Sequence, residues 1–181
     1  MNLIFRLLLT FNATSLLVII FLVQKTYTLG HFFSGCTFLV ELPNAVSYLL
    51  YLLVPIIFTG ISILLRRFLG KDDFKAGTVS TIEHANNSFL PSYLGYFFVA
   101  LSIGNWETLL FVYGVLFVFT FLSQALYFNP LFLLFRFEFY NITTTNGAAI
   151  FLISRHKYKT PDEINIETAF RINNYTYIEK D

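Results

Sequence analysis

Four windows of this 181-residue chain are apolar enough to cross a hydrocarbon core, and nothing else in it limits the fold so sharply. A membrane helix needs about 20 mainly apolar residues to span a core about 30 Å thick. The windows fall at about 3–23, 46–65, 89–104 and 108–128. Asn12, Thr14 and Ser15 interrupt the first, and Pro55 lies inside the second with Thr59-Gly60 just beyond. The third is short and has Pro91 in its first turn; the fourth carries Gln124 and is the cleanest. The first is read as a retained span, because its apolar core is longer than a signal peptide's and no small-residue cleavage site follows. Hydrophobic residues make up 56% of the chain and charged ones 13%, against roughly 25% charged in soluble domains.

Basic residues set the orientation. Arg6 stands in the first turn of the first window, Arg66, Arg67, Lys71 and Lys75 lie between the second and third, and Arg136, Arg155, Lys157, Lys159, Arg171 and Lys180 follow the fourth. Lys25 alone lies on the other side. Positively charged loops stay in the cytoplasm, so a four-span arrangement places both termini there. The 24–44 segment, with His31 and Cys36, and the 105–107 connection, with Trp106 at interfacial depth, then face outward. The expected fold is an α-helical integral membrane protein, with four transmembrane helices over 1–128 and a cytoplasmic β-rich module over 129–181.

That module is legible in local patterns. Asn129-Pro130 ends the last window, because proline lacks an amide donor and biases the residue before it away from helix. Phe135, Arg136, Phe137, Glu138 and Phe139 alternate as a strand does. Asn146-Gly147 is the preferred pair for a two-residue type I′ hairpin turn, which would set Ile142 opposite Phe151, Tyr140 opposite Ile153 and Glu138 opposite Arg155. Thr160-Pro161-Asp162-Glu163 has the form of a capping box and predicts one helical turn. A second hairpin about Asn173-Asn174 would place Glu167 opposite Lys180.

No residue pattern names a reaction. Phosphate loops, nucleophile elbows and zinc spacings are absent from the chain, so neither an enzymatic activity nor a cofactor is expected. Glu83-His84 reads as loop polarity, because no further ligand is nearby in sequence. The single cysteine, Cys36, excludes an intrachain disulfide and a cysteine-rich metal site. Mid-window Asn12, Thr14, Ser15 and Gln124 read as packing groups between helices. The run Arg155-His156-Lys157-Tyr158-Lys159 is basic, but from Asn129 onward six basic residues are matched by Glu138, Asp162, Glu163, Glu167, Glu179 and Asp181. Direct nucleic-acid binding is therefore not expected. Arg155, His156, Lys157, Lys159, Tyr175 and Tyr177 are the candidate partner-binding residues, and an edge strand could accept a partner's strand.

The four windows, Asn87-Ser-Phe-Leu-Pro-Ser-Tyr-Leu, the junction Phe128-Asn-Pro-Leu-Phe-Leu-Leu-Phe-Arg-Phe-Glu-Phe-Tyr, the Thr-Asn-Gly turn and Leu-Ile-Ser-Arg together resemble the KwaA family. KwaA is the membrane subunit of the Kiwa antiphage defence system of bacteria, and the likeness covers most of the chain. The resemblance implies a homo-oligomeric inner-membrane protein, with a tetramer as one such assembly, that detects infection at the envelope. It also implies a cytoplasmic DNA-binding partner, KwaB, that blocks phage DNA replication and transcription. The expected function is thus a non-enzymatic sensor and scaffold in contact with membrane lipid. The alternative is a ligand-triggered, pore-forming effector whose interrupted spans repack.

Overall fold

The computed structural model describes residues 2–88, 90–123 and 129–180. Gln124, Phe128 and Asp181 lie outside the described residues. The described chain folds as α1 (Asn2–Gln24), α2 (Leu29–Phe32), α3 (Thr37–Val40), α4 (Asn44–Leu65), β1 (Gly70–Phe74), β2 (Val79–His84), α5 (Leu90–Ser102), α6 (Trp106–Ser123), α7 (Leu131–Leu134), β3 (Glu138–Thr144), β4 (Ala149–Ser154), β5 (Ile166–Arg171) and β6 (Thr176–Glu179). Short 3-10 turns cover Arg66–Phe68 and Pro161–Glu163.

This is not the expected four-span helical protein with a β tail. Among the described residues only Leu3–Gln24 and Asn44–Phe68 are long and apolar enough to cross a membrane. The apolar parts of the other two windows, Tyr93–Ser102 and Trp106–Leu122, are shorter. The 13 residues of α5 rise only about 20 Å, short of a hydrocarbon core. Pro91 and the turn at 103–105 confine that helix. The sheet is also larger than expected, because the 66–88 segment, read as a loop, supplies two of its six strands.

The helices pack around α1. Phe5, Leu9, Ala13, Leu17 and Phe21 repeat every four residues and are all buried, so they form one stripe along the helix. Thr10 and Thr14 are buried on one flank of that stripe, and Asn12 and Ser15 on the other. On the Ser15 flank, α4 buries the small residues Ser47, Pro55, Thr59 and Ser62, which lets the backbones approach closely. The hydroxyls are satisfied within their own helices: Thr14 Oγ1 donates to the Thr10 carbonyl (2.9 Å), Thr59 Oγ1 to that of Pro55 (2.7 Å), and Ser62 Oγ to that of Thr59 (2.7 Å). Thr14 Oγ1 also lies 3.3 Å from the Tyr113 hydroxyl of α6. Asn12 differs: both polar atoms of its amide are buried without a hydrogen-bond partner.

The strands run in the order β1-β5-β6-β4-β3-β2, antiparallel except for the β4–β6 pair. Consecutive strands β1 and β2 thus lie at opposite ends of the order, although only residues 75–78 separate them. A flat six-stranded sheet would hold them about 24 Å apart, whereas the linking chain reaches about 18 Å at most. The sheet must therefore curl. Its concave face gathers Phe74, Val79, Tyr140, Ile142, Leu152, Ile166, Ala169 and Tyr177, with Ile164 beside the Pro161–Glu163 turn. The convex face presents Phe137, Phe139, Phe151, Ile153, Phe170 and Ile178 to Phe5 and Leu9 of α1, Ile63 of α4 and Phe132 of α7.

Both hairpins form, each one residue out of the expected register. Glu138 pairs with Ser154 rather than Arg155, Tyr140 with Leu152, and Ile142 with Ile150. Gly147 has φ of +81° whereas Asn146 is not left-handed, so the connection is a three-residue loop with a glycine bulge, not a type I′ pair. The extra loop residue shifts every pairing. In the second hairpin Phe170 pairs with Ile178, and the Lys180 N–H donates to the carbonyl of Thr168, not Glu167. Strand β3 also begins later than the alternation suggests. Arg136 (φ +63°) occupies the left-handed position after α7, with Phe137 N–H donating to the Phe132 carbonyl (3.1 Å) and Arg136 N–H to that of Leu133 (3.0 Å). That is a Schellman helix end. The turn at Pro161 occurs as expected, but without a side-chain cap from Thr160. Glu163 instead accepts from the Lys159 N–H (2.7 Å).

Candidate functional site

The basic run leaves the sheet at the end of β4, where two glutamates organise it. Ser154 is buried; its hydroxyl donates to Glu179 Oε2 in a short bond and accepts from the His156 N–H (2.8 Å). The carboxylate of Glu179, only 5% exposed at the end of β6, also takes His156 Nδ1 (3.0 Å) and the Tyr158 hydroxyl (2.9 Å) on Oε1. Burial first, and then the bond to Glu179, push the Tyr158 pKa up.

The second glutamate, Glu138, opens β3. Its Oε2 receives the Tyr140 hydroxyl (2.9 Å) and His84 Nε2 (3.2 Å), while Lys157 Nζ lies 3.4 Å from Oε1. Burial raises the Glu138 pKa, but the contacts from Tyr140, Lys157 and His84 together outweigh it and hold the carboxyl below the ordinary range. Tyr140 is pushed up to about 12, by burial first and then by Glu138. Its hydroxyl also accepts from the Tyr158 N–H (3.2 Å), joining the two glutamate clusters.

The candidate residues are divided by the fold. Arg155, His156, Lys157 and Lys159 stay together and exposed at one end of the sheet. Arg155 Nε donates to the Phe135 carbonyl (3.1 Å), and its guanidinium lies 4.5 Å over the Phe137 ring. Tyr175 is 62% exposed, but it sits where β6 begins, at the opposite end of that strand from the basic run. Tyr177 is buried on the concave face, edge-on to Phe74 at 5.2 Å. His84 carries more than loop polarity: it ends a paired strand and touches Glu138. Val79, Thr81 and Ile82, three β-branched residues within four positions, held the missed signal, since such residues suit a pleated surface. Among the described residues, no group of three or more histidine, cysteine, aspartate or glutamate side chains is placed to hold a metal ion.

At the far end of the helices an aromatic cluster closes the bundle. Tyr27 stacks on His31 (4.7 Å) and on Trp106 (5.5 Å), and Phe21 meets Trp106 edge-on at 5.2 Å. Gln24 Nε2 donates to the Leu101 carbonyl (2.7 Å), tying α1 to α5. The 24–44 segment and the 105–107 connection thus share one end of the molecule, opposite the sheet.

An apolar helical bundle, with two described helices of membrane-crossing length, seated on a curled mixed sheet whose rim carries a glutamate-held basic segment defines a small mixed α and β protein. The family model described as Anti-phage protein KwaA matches residues 5–178, and the chain belongs to that family, with its role in anti-phage defence. No curated protein and no solved structure matches the chain.

Proposed function

We propose that this protein is a non-enzymatic sensor and scaffold, held in the bacterial inner membrane by α1 and α4, that recruits a cytoplasmic DNA-binding partner during infection. The observation that carries this reading is the shared core between helix ends and sheet. Phe5, Leu9 and Ile63 pack directly on Phe132, Phe137, Phe139 and Phe170, so a shift of the helices must be accommodated by the sheet. Close-packed cores transmit strain rather than absorb it. The aromatic end near Trp106 receives the disturbance, and the rim at Arg155–Lys159 presents it to the partner. Self-association into a homo-oligomer fits the exposed apolar flank of α6, where Leu110, Phe111 and Phe119 are at least 65% exposed.

Truncation at Asn129 is a poor test, because it would strip β1 and β2 of their partners. Substitution at the rim is cleaner. Lys159→Glu combined with Arg155→Gln should reduce recovery of the co-expressed partner at least tenfold in detergent pull-downs, with membrane-fraction yield unchanged. Full recovery by that variant would sink the proposal.

A further inference from the structure

At the foot of α4 the surface changes abruptly from apolar to basic. Along the outer face of α4, Leu50, Leu53, Ile57, Ile61 and Leu64 follow one another at three- and four-residue intervals, and all are exposed. Such spacing makes one continuous stripe. It runs into a pocket of about 420 Å³ lined by Ile63, Leu64, Arg66, Arg67, Arg155 and Lys180, with Phe170 behind them. Four cations from three separate parts of the chain therefore converge where the apolar stripe ends. Two are fixed by backbone bonds: Arg66 Nη1 donates to the Glu179 carbonyl (3.0 Å), and Arg155 Nε to that of Phe135 (3.1 Å). Lys180 follows β6 directly, and Arg67 lies 5.2 Å over the Phe68 ring.

We propose that this pocket binds the phosphate headgroup of an anionic phospholipid, with the lipid's acyl chain lying along the α4 stripe. The inference rests on the reading that α4 lies in the membrane. A basic pocket at the edge of an apolar helix suits a phosphate fixed at the membrane surface, since each cation near an anionic leaflet adds to the attraction. The apolar stripe distinguishes a lipid from a free phosphate, which would gain nothing from Leu64 or Ile61. Binding would join the end of α4 to the ends of β4 and β6, the same strands that carry the rim.

The test uses the full-length protein in nanodiscs of phosphatidylcholine alone or with phosphatidylglycerol, read by thermal unfolding. Phosphatidylglycerol should raise the unfolding temperature by several degrees, and Arg67→Gln/Lys180→Gln should lose most of that shift while Lys180→Arg keeps it. An equal shift in wild type and double variant, or none in wild type, overturns the proposal. So does a comparable shift from inorganic phosphate in detergent, which would assign the pocket to small anions. An undiminished lipid response with lost partner recovery would assign it instead to an acidic segment of the partner. Membrane-fraction yield is scored separately. Protein that inserts without a phosphatidylglycerol effect defeats the headgroup site alone, and protein absent from the membrane fraction defeats the anchoring reading with it.

Discussion

Arg66, at the end of α4, donates from Nη1 to the backbone carbonyl of Glu179 at 3.0 Å, joining helix and last strand across 113 residues of sequence. The same guanidinium lies 5.3 Å over the Phe137 ring and 5.9 Å over Phe170. One side chain thus touches α4's end, β6 and the convex face of the sheet.

Arg66→Gln should destabilise the fold by about 1.5–3 kcal/mol, the range for a hydrogen bond to a charged group. Arg66→Lys should recover less than half of the loss, because an ammonium lacks the planar fork that stacks on rings. Far-UV circular dichroism melts in detergent measure both. Equal stability of all three proteins would refute the coupling role.

Glu138 gives the pH dependence a definite sign. Its folded pKa is depressed, so its contribution is present above the unfolded carboxylate pKa and is lost as pH falls through the folded value. Glu138→Gln should therefore lower stability at neutral pH and flatten the acid limb of the stability curve. Tyr140, raised to about 12, works oppositely: its contribution holds below the unfolded tyrosine pKa near 10 and is lost as pH rises towards 12. Tyr140→Phe should flatten the alkaline limb. Denaturant midpoints across pH check both slopes.

Arg136 holds a backbone position that favours glycine. With φ of +63° at the end of α7, a side chain there costs about 1 kcal/mol. Arg136→Gly should leave stability unchanged or raise it by up to about 1 kcal/mol, the greater freedom of glycine in the unfolded chain offsetting part of the gain. A loss beyond 1 kcal/mol would mean that the arginine side chain contributes contacts of its own.

Asn12 is buried in α1 with its amide unpartnered. Leaving such a group without a hydrogen bond costs about 1–3 kcal/mol, whereas an apolar group of similar shape does not. Asn12→Leu should thus raise the melting temperature. If defence in a plaque assay falls at the same time, the orphan amide serves the protein's action rather than its stability.

How much of this was readable beforehand depends on the range of each interaction. The two hairpins and the turn at Pro161 are local and were legible. Register was not, because it turns on one backbone angle: with Asn146 outside the left-handed region, Gly147 alone makes the bend and the loop gains a residue. The partners of Glu138 changed accordingly, from the expected Arg155 to Tyr140, His84 and Lys157. Strands β1 and β2 were hidden because neither pairs with a neighbour in sequence; each joins an opposite edge of a sheet formed mostly some 60 to 100 residues later.

The sequence by itself determined that this chain carries apolar helices, that its charges lie almost wholly at one end of them, and that its last third folds as paired strands. Composition and short-range spacing suffice for that. Only the tertiary structure decided how many of the described helices reach membrane-crossing length, since Pro91 and the turn at 103–105 confine α5 to 13 residues. The same packing decided which glutamate meets which cation, because strand pairing and curl are settled by contacts across the whole chain.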